Sequence, residues 1–108
     1  MGSAGHKFDG KTGVVAYAAS KYLLEYFPRH VRALATENIL VNTVQVGVMD
    51  GATQEKTGVS GNQLAKREAL IPIGRMASVD EISETVMFLC SDSNTYIHGA
   101  VVPATGGE

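Results

Sequence analysis

The sequence predicts an α/β fold in which parallel strands are joined by helical crossovers. Three observations carry this. A long apolar pattern of helical period runs from about Val14 to Glu37. Two short β-branched runs, "ILVNTVQV" and "AVVPA", lie well apart in the chain. Between them stand two separate helix-start signals. Strands separated by helical segments pair in parallel, because a parallel connection needs a crossover long enough to hold a helix. The predicted order is helix, strand, helix, helix, strand, with Met1 to Gly13 read as a Gly-rich, polar loop leading into the first helix.

The first helix presents Tyr17, Lys21, Leu24, Val31 and Ala35 on one face and Leu23, Phe27, Val31 and Leu34 on the adjoining one. Tyr22 and Tyr26 add apolar area on a further side. A stripe this wide predicts a helix buried nearly all round, against another subunit as well as its own sheet. Pro28 lacks the N–H that would bond the carbonyl of Leu24, so a kink or break is expected there. Ile39–Val46 reads as a buried strand ending at Gly47. Ser60 and Gln63 then have capping-box spacing with Val59 and Leu64 at the staple positions, which predicts a short helix to about Leu70, closed by Pro72. Ser78 and Glu81 repeat the box, with Ala77 and Ile82 as its staple. Ile82, Val86 and Leu89 line one face of the helix that follows, which ends near Ser91. "DSNTYIHG" is turn-rich, and "AVVPA" is the last strand.

Composition narrows the function classes. The chain has 108 residues, 44% hydrophobic and 19% charged, with a net charge of -2, which fits one soluble globular domain at most. No block of like charge offers a footprint for nucleic acid or a membrane surface, and no segment is apolar enough for long enough to span a bilayer. A single cysteine, Cys90, excludes an internal disulfide, reads as a buried apolar thiol, and suits a reducing, cytoplasmic compartment. His6, His30 and His98 lack metal-ligand spacing. Arg75 reads as a structural ion-pairing residue.

The chemistry centres on "YAASK". Tyr17 and Lys21 lie four residues apart, so a helix puts them on one face as a candidate proton-transfer pair. The Tyr-x-x-x-Lys spacing alone recurs by chance. Here it is followed in order by "ENILVNTVQVGVMDG" and by "IPIGRMASVDEISETVMFLCSDSNTYIHGAVVPATGG". Together these resemble the C-terminal part of the short-chain dehydrogenase/reductase family, over nearly the whole chain. The resemblance implies one partial domain over residues 1–108, the C-terminal portion of a Rossmann-type doubly wound parallel sheet without its N-terminal nucleotide-binding half.

It also implies roles. Tyr17 would be the general acid/base, and Lys21 would both stabilise the phenolate form and bind the nicotinamide ribose. Ser3, in "GSAG", would orient the substrate oxygen, although it stands one residue nearer the Gly than the common pattern has it. Tyr17, Lys21, Val46, Gly47 and Met49 would contact NAD or NADP, and the substrate would be a small carbonyl or alcohol. Val46 replaces the proline of the family's Pro-Gly turn, Gly51 a frequent Thr, and Thr105 an Asp. "GHKFDGKTG" contains glycines but reads as no dinucleotide fingerprint. The resemblance therefore implies an NAD(P)-dependent oxidoreductase by ancestry, expected to be inactive as this isolated chain and to form a homo-oligomer. The alternative is a non-catalytic association module derived from a dehydrogenase, since the apolar helix and unpaired strand edges leave surface to cover.

Overall fold

The computed structural model describes residues 1–4, 15–51 and 61–108. Its centre is a three-stranded parallel sheet of β1 (Gly2–Ser3), β2 (Thr43–Val46) and β3 (Val101–Ala104), with β2 in the middle. The helices are α1 (Val15–Tyr26), α2 (Gly61–Glu68) and α3 (Val79–Cys90). The expected two strands are thus three, because the opening segment begins with a strand rather than a loop. Two residues carry no period, so only their pairing with Gln45 and Val46 makes them a strand.

α1 is rich in Ala and Leu, good helix formers, and gives way where Pro28 was expected to interrupt it. Two 3-10 segments follow, Phe27–His30 and Arg32–Glu37. Pro28 sits in the first turn of the earlier one, where its missing N–H costs nothing, and is fully buried. Asn38 closes the second in a left-handed conformation with φ 59°, its N–H donating to the Ala35 carbonyl.

β2 was expected from Ile39 but pairs only from Thr43. Side chains do the ladder's work before that point: the Val41 N–H donates to His98 Nδ1 (3.0 Å), and Asn42 accepts from the Ala100 N–H (3.1 Å) while donating to the Ile97 carbonyl (2.7 Å). β3 likewise starts one residue later than the run "AVVPA", at Val101, and ends with it at Ala104. The N–H groups of Thr43 and Gly47 donate to the carbonyls of Ala100 and Ala104, so Pro103 falls at an outward position on an edge strand, where a missing donor is tolerated.

Alternation along β2 separates two faces. Val44 and Val46 form the core with Ile82 of α3, with Ala77, Val86, Leu89, Met49 and Ala104 packed around them. Thr43 and Gln45, both buried, face α1: the Thr43 hydroxyl donates to the Leu24 carbonyl (2.6 Å), and Gln45 Nε2 donates to Glu25 Oε1 (2.9 Å). α3 opens on the predicted capping box of Ser78 and Glu81. The Ser60 box and its Val59 staple lie outside the described residues. Cys90, expected to be buried, is exposed at the last position of α3. The larger correction concerns α1, which has no buried residue: Leu23 is 65% exposed and Tyr26 57%. The burial predicted from its apolar face is not supplied by this chain's own sheet.

Candidate active site

The carboxyl ends of parallel strands are where open α/β sheets bind ligands, because the following loops converge there. Here register puts Ser3 beside Val46 and Val46 beside Ala104, so the three strand ends are level. α1, which carries Tyr17 and Lys21, packs on β1 and β2. Tyr17 is 52% exposed, and Lys21 Nζ lies 5.6 Å from the centre of its ring. The ammonium is therefore held over the aromatic face, within the range of a cation–π contact. Ser20, between them, donates to the Tyr17 carbonyl (2.7 Å), which occupies its hydroxyl in the helix. Ser3 ends β1, half-buried.

The predicted strand-end residues divide differently. The Val46 side chain belongs to the apolar core against Ile82, so it could meet a ligand only through its backbone, and Met49 packs half-buried on the same cluster. Met49 is also bridged in parallel to Ala77. At Gly47, expected as a cofactor contact, the space beside the Cα is taken from within the chain. A Cβ there would lie 2.8 Å from Thr105 Cα and 2.8 Å from Glu108 Oε2. Gly47 is needed because the end of β3 passes against it.

Sequence reading missed several contacts of this region. Glu108 Oε2 accepts the Val48 N–H (3.3 Å) across sixty residues, and Gln45 and Thr43 anchor α1 by polar links from a strand that reads as apolar. A Gln within a β-branched run was the one visible signal, since a buried polar side chain must find a partner.

On the α3 side, Val48, Arg75, Ala77, Glu81 and Thr105 are among the residues around an open hollow of about 220 Å³, to which neither Tyr17 nor Lys21 contributes. Its charges are internally matched. Arg75 meets Glu81 through two bonds, Nη1 to Oε2 (2.8 Å) and Nη2 to Oε1 (2.6 Å), bearing out the structural reading of Arg75. The Arg75 bond, then the Ser78 N–H, hold the Glu81 carboxyl down at about 2. Among the described residues there is no cluster of metal-ligating side chains, and no helix is long and apolar enough to cross a membrane.

Comparison with known proteins agrees with this architecture. A family model described as enoyl-(acyl carrier protein) reductase matches residues 2–108. The chain is 41% identical over 103 residues to a 3-oxoacyl-[acyl-carrier-protein] reductase of Pseudomonas aeruginosa, covering 91% of this chain and 39% of that protein. A Serratia marcescens short-chain dehydrogenase/reductase superposes with a TM-score of 0.83 at 31% identity, covering 98% of this chain and 42% of the other. A blue fluorescent protein from a metagenomic library, solved in complex with NADPH, gives 0.83 at 28% identity, with 98% and 42% covered. The chain belongs to the short-chain dehydrogenase/reductase family of oxidoreductases. It spans about two fifths of the length of the curated relatives it matches.

Proposed function

We propose that this chain supplies the proton-transfer end of an NAD(P)-dependent oxidoreductase acting on a small carbonyl or alcohol. The observation that carries the reading is the Tyr17–Lys21 pair, one helical turn apart on an exposed face of α1 with the ammonium over the ring. Tyr17 gives its phenolic proton to the substrate oxygen in reduction and takes it back in oxidation, and Lys21 stabilises the phenolate left behind. Ser3, at the end of the neighbouring strand, donates a hydrogen bond to the same oxygen. A nicotinamide, when bound, supplies or accepts the hydride.

The residues fit the reactive end of such a cofactor. Tyr17 and Lys21 are accessible, and the backbone of Val46, Gly47 and Met49 lies at the strand ends. Residues 1–108 match about two fifths of the relatives' length and act as a partial domain. The remaining cofactor contacts come from the part of the domain that the relatives possess beyond the matched region. α1 supports a homo-oligomer, with Leu23, Tyr26 and Phe27 at the contact, and a cytoplasmic setting suits the free thiol. The names of the relatives make a 3-oxoacyl thioester the first carbonyl to try.

The test is reconstitution. The chain is combined with the complementary N-terminal half of a 3-oxoacyl reductase relative, and NADPH and NADH oxidation is followed with a panel of carbonyls. Turnover that depends on both halves supports the reading. An assembled, folded pair that binds cofactor yet turns over nothing supports the non-catalytic association module instead.

A further inference from the structure

After β3 the chain makes a tight reversal, Thr105–Gly106–Gly107–Glu108. Both glycines have positive φ, 67° and 101°, which side chains rarely adopt. Neither has room for a Cβ, which would meet Ile71 at 2.8 Å and Pro72 at 2.9 Å respectively. The Gly106 carbonyl accepts the Ile73 N–H (3.1 Å), so the reversal is clamped from outside. Within it, the Thr105 hydroxyl donates to the Glu108 carbonyl (3.4 Å). This geometry folds the Glu108 side chain back onto the turn that leaves β2.

At that turn the Gly47 N–H donates to the Ala104 carbonyl (3.0 Å), and the Val48 carbonyl accepts the Ala77 N–H (3.0 Å). The Val48 N–H is different. Its partner is a side chain, the Glu108 carboxylate, at 3.3 Å. A bond to an ionised acceptor is stronger than one between neutral groups. The residue ahead of the turn is Val46, whose backbone lacks the fixed φ that a proline would impose.

We infer that Glu108 is a positioning residue: its carboxylate fixes the Gly47–Val48 turn and supplies the constraint that Val46, having no ring, does not. The inference builds on the oxidoreductase reading, in which this turn carries the backbone that meets the nicotinamide. Glu108 acts through the turn and not on a reacting atom.

The test reads amide hydrogen exchange by NMR in the 108-residue chain and needs no cofactor, so failure here is separable from failure of the oxidoreductase reading. Glu108→Ala should speed exchange of the Val48 amide roughly ten-fold, while the Gly47 and Asp50 amides, held by Ala104 and Ala77, change by less than about two-fold. Glu108→Gln keeps a carbonyl oxygen as acceptor and should restore protection at Val48. Unchanged Val48 exchange in Glu108→Ala would overturn the inference. So would equal acceleration of all three amides, which would make Glu108 a general support of the fold.

Discussion

Tyr17 and Lys21 were legible in the sequence because their relation is local: a four-residue spacing becomes a shared helix face whatever the rest of the chain does. Glu108 and His98 were not, since they act on residues 60 and 57 positions away. His98 read only as a histidine without metal-ligand spacing, but its ring accepts the Val41 N–H through Nδ1, which places the proton on Nε2, an atom that is buried with no partner among the described residues. His98→Phe would fill similar space yet leave that N–H without its acceptor. A loss of about 1–3 kcal/mol in urea unfolding is expected. Gly47 teaches the same lesson in reverse. Its smallness was visible, but its reason, the passage of Thr105, depends on which strands pair. Gly47→Ala puts a methyl against backbone that cannot swing aside, and should cost about 1–3 kcal/mol. Full stability in that variant would show that the end of β3 is free to move away.

Elements were readable where they carried punctuation. The Ser78–Glu81 box set the start of α3, and the structure contains both of its bonds. β1 had neither period nor punctuation, and the start of β2 was overestimated because Ile39–Asn42 has strand-like composition but bonds to side chains instead of a strand. Cys90 was judged from its apolar neighbours, but it is the last residue of α3 and is exposed there. α3 also carries a pH dependence. Glu81 is held at about 2, below the ordinary carboxylate range, by Arg75 and then by the Ser78 N–H. A carboxyl depressed on folding contributes stability that is complete above its unfolded value and is lost as pH falls through its folded one. Thermal stability should therefore decline between about pH 4.5 and 2. Glu81→Gln should flatten part of that decline, and an unchanged profile would mean that the pair does not persist in solution.

The whole chain exposes 7604 Å². A compact monomer of 11.4 kDa exposes about 5,800 Å², and a radius of gyration of 15.2 Å compares with about 13 Å for a domain of this length. The excess, about 1,800 Å², exceeds what one partner buries in a standard interface, about 800 Å². The apolar side chains of α1, Leu23 and Tyr26 among them, contribute to the exposed surface. The fold class was legible because the pattern of strands and crossovers survives in a partial domain. The exposure of α1 was not, because periodicity says which face is apolar but not what covers it. We expect self-association by sedimentation, weakened by Leu23→Glu combined with Tyr26→Glu; a compact, cooperatively melting monomer at high micromolar concentration would contradict this. We also expect no saturable NAD or NADP binding at low micromolar concentration by calorimetry, since no Gly-rich turn that could cradle a pyrophosphate opens a helix among the described residues.

The most direct measurement concerns Tyr17 in the reconstituted oxidoreductase. Tyr17 is half exposed on α1, so Tyr17→Phe removes one hydroxyl and should leave the melting temperature and assembly unchanged. General acid–base catalysis contributes roughly a hundred- to ten-thousand-fold, and kcat should fall by at least the lower figure. A variant that keeps its fold and retains kcat within about three-fold of the parent would remove Tyr17 from proton transfer and contradict the account at its centre.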